Sequence, residues 1–406
     1  MRFHLGRWLV GFGAFCVVVV ILLAYQQEQN WKAMVAARAE LKSSINGLPN
    51  SRPVLHGDAI EGRAFDEYGL FADGFRSLPN SEFSDVKLTL KDSSAAKDSG
   101  ASELRDSLLD SHQLTLEALG RGARSIDSRY LLDWKKGIPF DLPNMSQIRS
   151  VVNLSIVAAQ RHLDDEQPVL AVDSLLDGMQ LCRDMMEIPV LVSELVGASL
   201  MPLVTGASTA DDFLERLPPA ELERLAEAMR TLDSGLPLTS YSQEGELLGL
   251  ATLVMQPGEP NVLFDLEMGL DTWSYGFSPR ALYSHHILLS KRDCDHMREL
   301  SDAEWIRRRA AIAEIETDMQ GSRNALRRKQ RMHWTQSESS RRSAIAQLRL
   351  ALAAAEFKAT GRQPAIPDPF GGELRFTEIG DTLRIESGFP VDHPRPELFR
   401  VEVAVR

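Results

Sequence analysis

Between Trp8 and Tyr25 the chain runs eighteen residues without a charge, in the stretch WLVGFGAFCVVVVILLAY. At 1.5 Å per helical residue this just spans the hydrocarbon core of a bilayer, where every backbone polar group must be satisfied within its own helix. The run therefore predicts one transmembrane helix. Trp8 and Tyr25 stand at its two ends, where amphipathic rings prefer the headgroup layer. Arg2 and Arg7 precede it and the mixed stretch QQEQNWK follows. The positive-inside rule then leaves residues 1–7 in the cytoplasm and exports the rest. A cleaved signal peptide is the competing reading; its best small-x-small match, Leu22 with Ala24, is poor. Cys16 lies mid-span behind Phe15, so a lipoprotein cysteine is not expected there.

The exported part holds Cys182 and Cys294, and an oxidising compartment permits a disulfide between them. Cys182, however, shares an apolar stripe with Val172, Leu175, Leu176 and Met179, which favours a buried free thiol.

With 406 residues, 44% of them hydrophobic and 25% charged, the chain can bury more than one core. Its net charge of -12 argues against binding a phosphate backbone, which requires a basic face. Nucleic acid is not an expected partner. The local exception is the Arg-rich run from Arg307 to Arg342. It reads as a solvated helix face paired with Glu314, Glu316 and Asp318.

The expected fold is mainly α. Residues 26–101 read as a stalk helix (NWKAMVAARAELKSSI, ended by the turn NGLPNSRP) followed by a loose connection with little apolar content. Residues 102–335 read as a helical body, an irregular bundle or α-solenoid-like stack. Asn144 with Gln147 marks a helix start, and Pro168 opens the partner helix that carries the Cys182 stripe, which makes a hairpin. In PPAELERLAEAMRTL the buried face is Leu222, Leu225, Ala226, Met229 and Leu232. The segment QPGEPNVLFDLEMGLDTWSYGFSP interrupts the helices with turn residues and aromatics. It reads as a packed surface loop, with a groove lining as the alternative.

Residues 336–406 read as a final helix and a small α+β unit. Pro364, Pro367 and Pro369 stop the helix, Asp368 can accept from a nearby backbone N–H, and Gly371-Gly372 allow positive φ. ELRFTEI and TLRIESG then alternate around Gly380-Asp381 as a hairpin.

Two stretches carry resemblances. Arg129 to Met185 is similar to a group of membrane-anchored bacterial proteins with a Leu-Asp-Trp segment before a helical pair, a group that implies no activity. Arg341 to Phe389 resembles the soluble part of type II secretion major pseudopilins. The shared order is a helix, then the corner Pro367, Asp368, Pro369, Phe370, Gly371, then short antiparallel strands. Pseudopilins carry an acidic residue shortly after their processing site, and Gly11-Phe12 has none following it.

No Walker A loop, dinucleotide fingerprint, His-Glu-x-x-His, Gly-x-Ser-x-Gly or Cys-x-x-Cys occurs in the sequence. The densest metal-competent cluster is His285, His286, Asp293, Cys294, Asp295 and His296. On a helix His286 and Cys294 stand about 12 Å apart and His285 and His296 further still, too wide for one ion. The carboxylate pairs Glu244/Glu246 and Asp211/Asp212 point apart on a helix, and the second favours the start of FLERL through the helix dipole. No catalytic, cofactor or metal residue is assigned.

The expectation is a non-catalytic scaffold or partner-binding protein of the bacterial inner membrane, its body in the periplasm. Its expected partners are the lipid bilayer, through Trp8 to Tyr25, and other envelope proteins. The alternatives are a metal-dependent hydrolase working in the helical-body groove and a secretion-filament component.

Overall fold

The computed structural model describes residues 2–47, 52–74, 99–134, 142–210, 212–236, 240–255, 279–300, 305–322, 334–388 and 399–405. The expected loose connection, the aromatic segment around NVLFDLEMGLDTWSYGF and the LRRKQR part of the Arg-rich run fall largely or wholly outside these residues.

The chain opens with α1 (Arg2–Asn46), a single helix of 45 residues. Next come β1 (Ile60–Arg63) and α2 (Ala64–Gly74), then α3 (Ser99–Ser111), α4 (Gln113–Arg124) and β2 (Ser125–Asp127). The body continues through α5 (Met145–Asp164), α6 (Pro168–Glu187), α7 (Leu191–Thr209), α8 (Phe213–Arg216), α9 (Pro219–Ser234) and α10 (Ser240–Val254). It ends with α11 (Pro279–Glu299), α12 (Trp305–Gly321), α13 (Trp334–Thr360) and the strands β3 (Arg375–Ile379), β4 (Thr382–Glu386) and β5 (Arg400–Ala404). The protein is mainly helical with a small antiparallel sheet near its C-terminal end.

Local signals act where they were expected. Asn144 caps α5, its Oδ1 accepting from Ser146 N at 3.1 Å and Gln147 N at 3.4 Å. Pro168 occupies the first turn of α6. The two helices fold back on each other through a connection in which Glu166 takes a φ of 59°. The stripe of Val172, Leu175, Leu176, Met179 and Cys182 is wholly buried, as are Leu222, Leu225, Ala226, Met229 and Leu232 on α9. Cys182 and Cys294 are both buried free thiols in separate clusters of the core.

The core centres on α6, α7 and α13. α13 buries nearly every residue from Ala344 to Phe357 because its run LRLALAAAEF presents small side chains that let α7 and α9 come close on several sides. Leu383, Ile385 and Val403 of the sheet join the same core as α5, α6, α7 and α9. Residues 336–406 thus share their core with the helical body.

The C-terminal part of α1 is no free-standing stalk. Met34, Ala37, Leu41 and Ile45 recur at helical spacing and are buried against α10 and α11. Met34 packs with Leu250, Ala251, Tyr283 and Ile287, whereas Leu41 and Ile45 pack with Leu247, Leu248, Cys294, Met297 and Leu300. Earlier on the same helix Val17, Val18, Val20, Ile21, Leu22 and Tyr25 are exposed.

Among the described residues, one helix, α7, is long and apolar enough to cross a bilayer. Half of its apolar stretch is buried inside the body, with Glu194 in its first turn. It is a core helix.

Candidate functional site

The candidates that the sequence put forward disperse in the fold. His286, Asp293 and Cys294 are buried on α11, and no group of three or more His, Cys, Asp or Glu among the described residues could hold a metal ion. Asp295 instead accepts from Lys291 at 2.8 Å, and Lys291 also meets Glu40 of α1 at 2.9 Å. Glu244 and Glu246 do point apart: Glu246 accepts from the backbone N of Leu191, while Glu244 faces α1 and α11. Asp212 precedes α8 without capping it through its side chain, and Asp211 lies outside the described residues.

The Arg-rich run divides: Arg307 and Arg309 are solvent-exposed as expected, but other arginines of the run are buried. Arg308 of α12 and Arg341 and Arg342 of α13 are buried around Glu338, itself wholly buried. Glu338 accepts from Arg308 Nε at 2.9 Å and Nη2 at 3.1 Å, and from Arg342 Nε at 2.7 Å. Burial alone would raise this carboxyl, but the charges of Arg341, Arg308 and Arg342 hold it down at about 2. Arg308 also donates to the carbonyls of Met297 and Leu300, tying the end of α11 to α12. Of the expected acidic partners, Glu316 accepts from Thr335 N and Asp318 pairs with Arg292. A contrasting carboxyl lies near this cluster. Glu194 accepts from Ser242 Oγ and Ser337 Oγ, and burial pushes it up to about 7.

Arg342 reaches across to the Pro367–Gly372 corner. It donates to the Pro369 carbonyl and its guanidinium stands 4.9 Å from the ring centre of Trp305. Arg349 donates to the Pro367 carbonyl at 2.8 Å. Asp368 accepts from Phe370 N at 2.8 Å, Ser387 Oγ at 3.0 Å and Gly388 N. Gly371 and Gly372 take φ of 118° and 79°, as the turn demands. The corner is a clamped junction between α13 and the sheet.

Beside it, Trp305, Ile306, Arg309, Ala310, Ala313, Phe370 and Gly388 line an open, mostly apolar groove of about 460 Å³. Phe370 sits edge-on to Trp305, with ring centres 5.9 Å apart, and Ile306 is 76% exposed. Nothing in the groove combines a nucleophile with a base, and its one charged lining residue, Arg309, is solvent-exposed. Apolar contact is what its walls supply.

A second set of perturbed groups runs along α6. Asp173, Asp177, Gln180, Asp184 and Glu187 fall on one ridge, at steps of three or four residues. Each acidic member meets the segment before α5. His56 touches both Asp173 and Asp177. Asp184 accepts from Tyr68 Oη at 2.8 Å and pairs with Arg52 at 3.1 Å; Glu187 accepts from Ser128. Burial raises Asp177, Asp184, Glu187 and Tyr68 alike. This ridge zips residues 52–68 onto the body. Both ring nitrogens of His56 are already engaged, so it has none left to take a proton from a substrate.

Compared with family models, curated proteins and solved structures, the chain matches none.

Proposed function

We propose that the protein is a bitopic, non-catalytic scaffold of the bacterial envelope, anchored by residues 8–25 and binding another envelope protein through its exported body. The observation that carries this reading is the continuity of α1. One helix bears an uncovered apolar surface over Val17 to Tyr25 and, from Met34 outward, is locked into the core. Met34 stands nine positions after Tyr25, about 14 Å of helix. A rigid spacer of that length holds the body at a fixed height above the bilayer.

The direction of α1 also orients the body. The α10–α11 end that packs on Met34 faces the membrane, while Arg298, bonded to Ser44, lies about 28 Å of helix beyond Tyr25. The groove at Trp305 and Phe370 is lined by α12, whose Arg308 bonds the Leu300 carbonyl at the end of α11 that packs on Leu41 and Ile45. An apolar groove rimmed by one arginine suits an amphipathic segment of an envelope partner.

The test is to express the full chain in a bacterium, wash membranes with alkaline carbonate, and expose spheroplasts to protease. Retention in the membrane with a protease-sensitive body supports the anchor and its orientation. Release by the wash, or a body shielded until the inner membrane is broken, overturns them. Ile306→Asp then tests the partner site: it should abolish co-purification of the bound envelope protein without changing the melting temperature.

A further inference from the structure

The polar ridge of α6 contains one contact whose geometry depends on a proton. Residues 52–59 cross the body as a strap between the end of α1 and β1. One end is fixed by Arg52, which is buried and donates to the carbonyls of Ala123 and Gly122 at 3.1 and 2.6 Å while pairing with Asp184. The other end is fixed by β1, which pairs in parallel with β2. Between these ends Leu55 packs on the core, and His56 makes the strap's ionic contacts with α6. Its Nε2 lies 2.6 Å from Asp177 Oδ1 and its Nδ1 lies 3.4 Å from Asp173 Oδ1.

A neutral imidazole has one N–H, so it can donate to one carboxylate only and turns a lone pair toward the other. Two ionised carboxylates on the two ring nitrogens suit the imidazolium. The charges around the ring come from three elements: Asp173 and Asp177 of α6, Arg224 of α9, which donates to Asp173 Oδ1, and Arg124 of α4. The strap turns at Gly57, whose φ of 65° brings its backbone against the Arg124 side chain, where an added Cβ would stand 3.0 Å from Cδ. The two carboxylates face the ring directly, Arg224 bonds Asp173, and Arg124 lies against the strap at Gly57.

We infer that His56 is a proton-operated latch, holding the strap on α6 when doubly protonated and releasing residues 53–59 when it loses a proton. Burial works against the charged ring, but the bond and charge of Asp177 and the charge of Asp173 outweigh it, so His56 titrates above 6.5. The sign follows. The latch contributes fully below 6.5 and is lost as pH rises through the folded value. At the acid end Asp177, raised by burial, takes up a proton and weakens the grip, so the latch is closed between that uptake and the folded value of His56. Opening is local because Arg52 and β1 do not depend on the His56 proton.

The experiment uses the full chain in detergent micelles. Hydrogen exchange at the imidazole C2 position, read by mass spectrometry, gives the His56 titration in the wild-type protein, and Asp177→Asn should lower its midpoint by about one pH unit. In a Cys16→Ala background, a spin label at Asp58→Cys, an exposed strap position, should become several-fold more mobile between about pH 6 and pH 9. His56→Gln should leave the label mobile at both. A wild-type midpoint at or below 6.5, or strap mobility that ignores pH, overturns the latch; the wild-type titration decides even if His56→Gln does not fold.

Discussion

Ser44, on the C-terminal half of α1, donates its hydroxyl to the wholly buried carboxylate of Glu244 at 2.8 Å, and Arg298 closes the triangle by donating to both. Three elements distant in sequence thereby meet in one ionic pin. Arg38 adds a bond to Thr252 and Lys291 one to Glu40 along the same seam. Glu244→Ala should loosen α1 from the body at a cost of about 1 kcal/mol, because it removes the acceptor of the half-buried Ser44 hydroxyl while the half-exposed Arg298 can turn to water. Limited trypsin digestion should then cut faster at Arg38 and Lys42 than in the wild-type chain.

Gly245 faces the Pro189 carbonyl so closely that an added Cβ would overlap its oxygen. In an isolated helix, Gly→Ala stabilises by about 1 kcal/mol. At this position the obstacle is backbone, which no rotamer can relieve. Gly245→Ala should therefore destabilise, lowering the denaturation midpoint. A rise in the midpoint would mean that α7 and α10 are set further apart than described.

Glu338 sits at the centre of the Arg308, Arg341 and Arg342 cluster, within 4.0 Å of all three guanidiniums. Glu338→Ala leaves buried guanidiniums uncompensated and should cost about 3–5 kcal/mol. Because this carboxyl is held at about 2, its contribution is present above 4.5 and fades as pH falls toward 2. Acid denaturation of the wild-type chain should steepen in that range, and Arg308→Met should shift the steep region upward.

Glu194 has the opposite sign. With its carboxyl raised to about 7, the folded state holds a proton that the unfolded chain releases near 4.5, so stability falls as pH rises between those values. That rise corresponds to roughly 3 kcal/mol at most. Glu194→Gln keeps an oxygen for Ser242 or Ser337 and should be more stable than wild type at pH 8 while matching it near pH 4. Chemical denaturation at the two pH values checks both arms.

What the sequence determined by itself was local. The cap at Asn144, the proline at the start of α6, the buried faces of α6 and α9, and the hairpin about Gly380 depend on residues within a few positions of one another. The Pro367–Gly372 corner was legible for the same reason, since its prolines and glycines restrict φ wherever the rest of the chain goes. The sequence also marked the residues beyond Trp31 as helix, but not that α10 and α11 would cover one face of it.

The tertiary structure alone decided the charges. Arg308 meets Glu338 across 30 positions, Ser44 meets Glu244 across 200, and His56 meets Asp177 across 121. A run of arginines or a ridge of acids at helical spacing looks the same in sequence whether water or protein solvates it. The spacing Asp173, Asp177, Asp184, Glu187 was there to be read as one face of α6, yet its burial depended on which segment came to lie upon it. Charge burial is set by partners that chain folding brings from afar, because an ion leaves water only where opposite charge and hydrogen bonds await it.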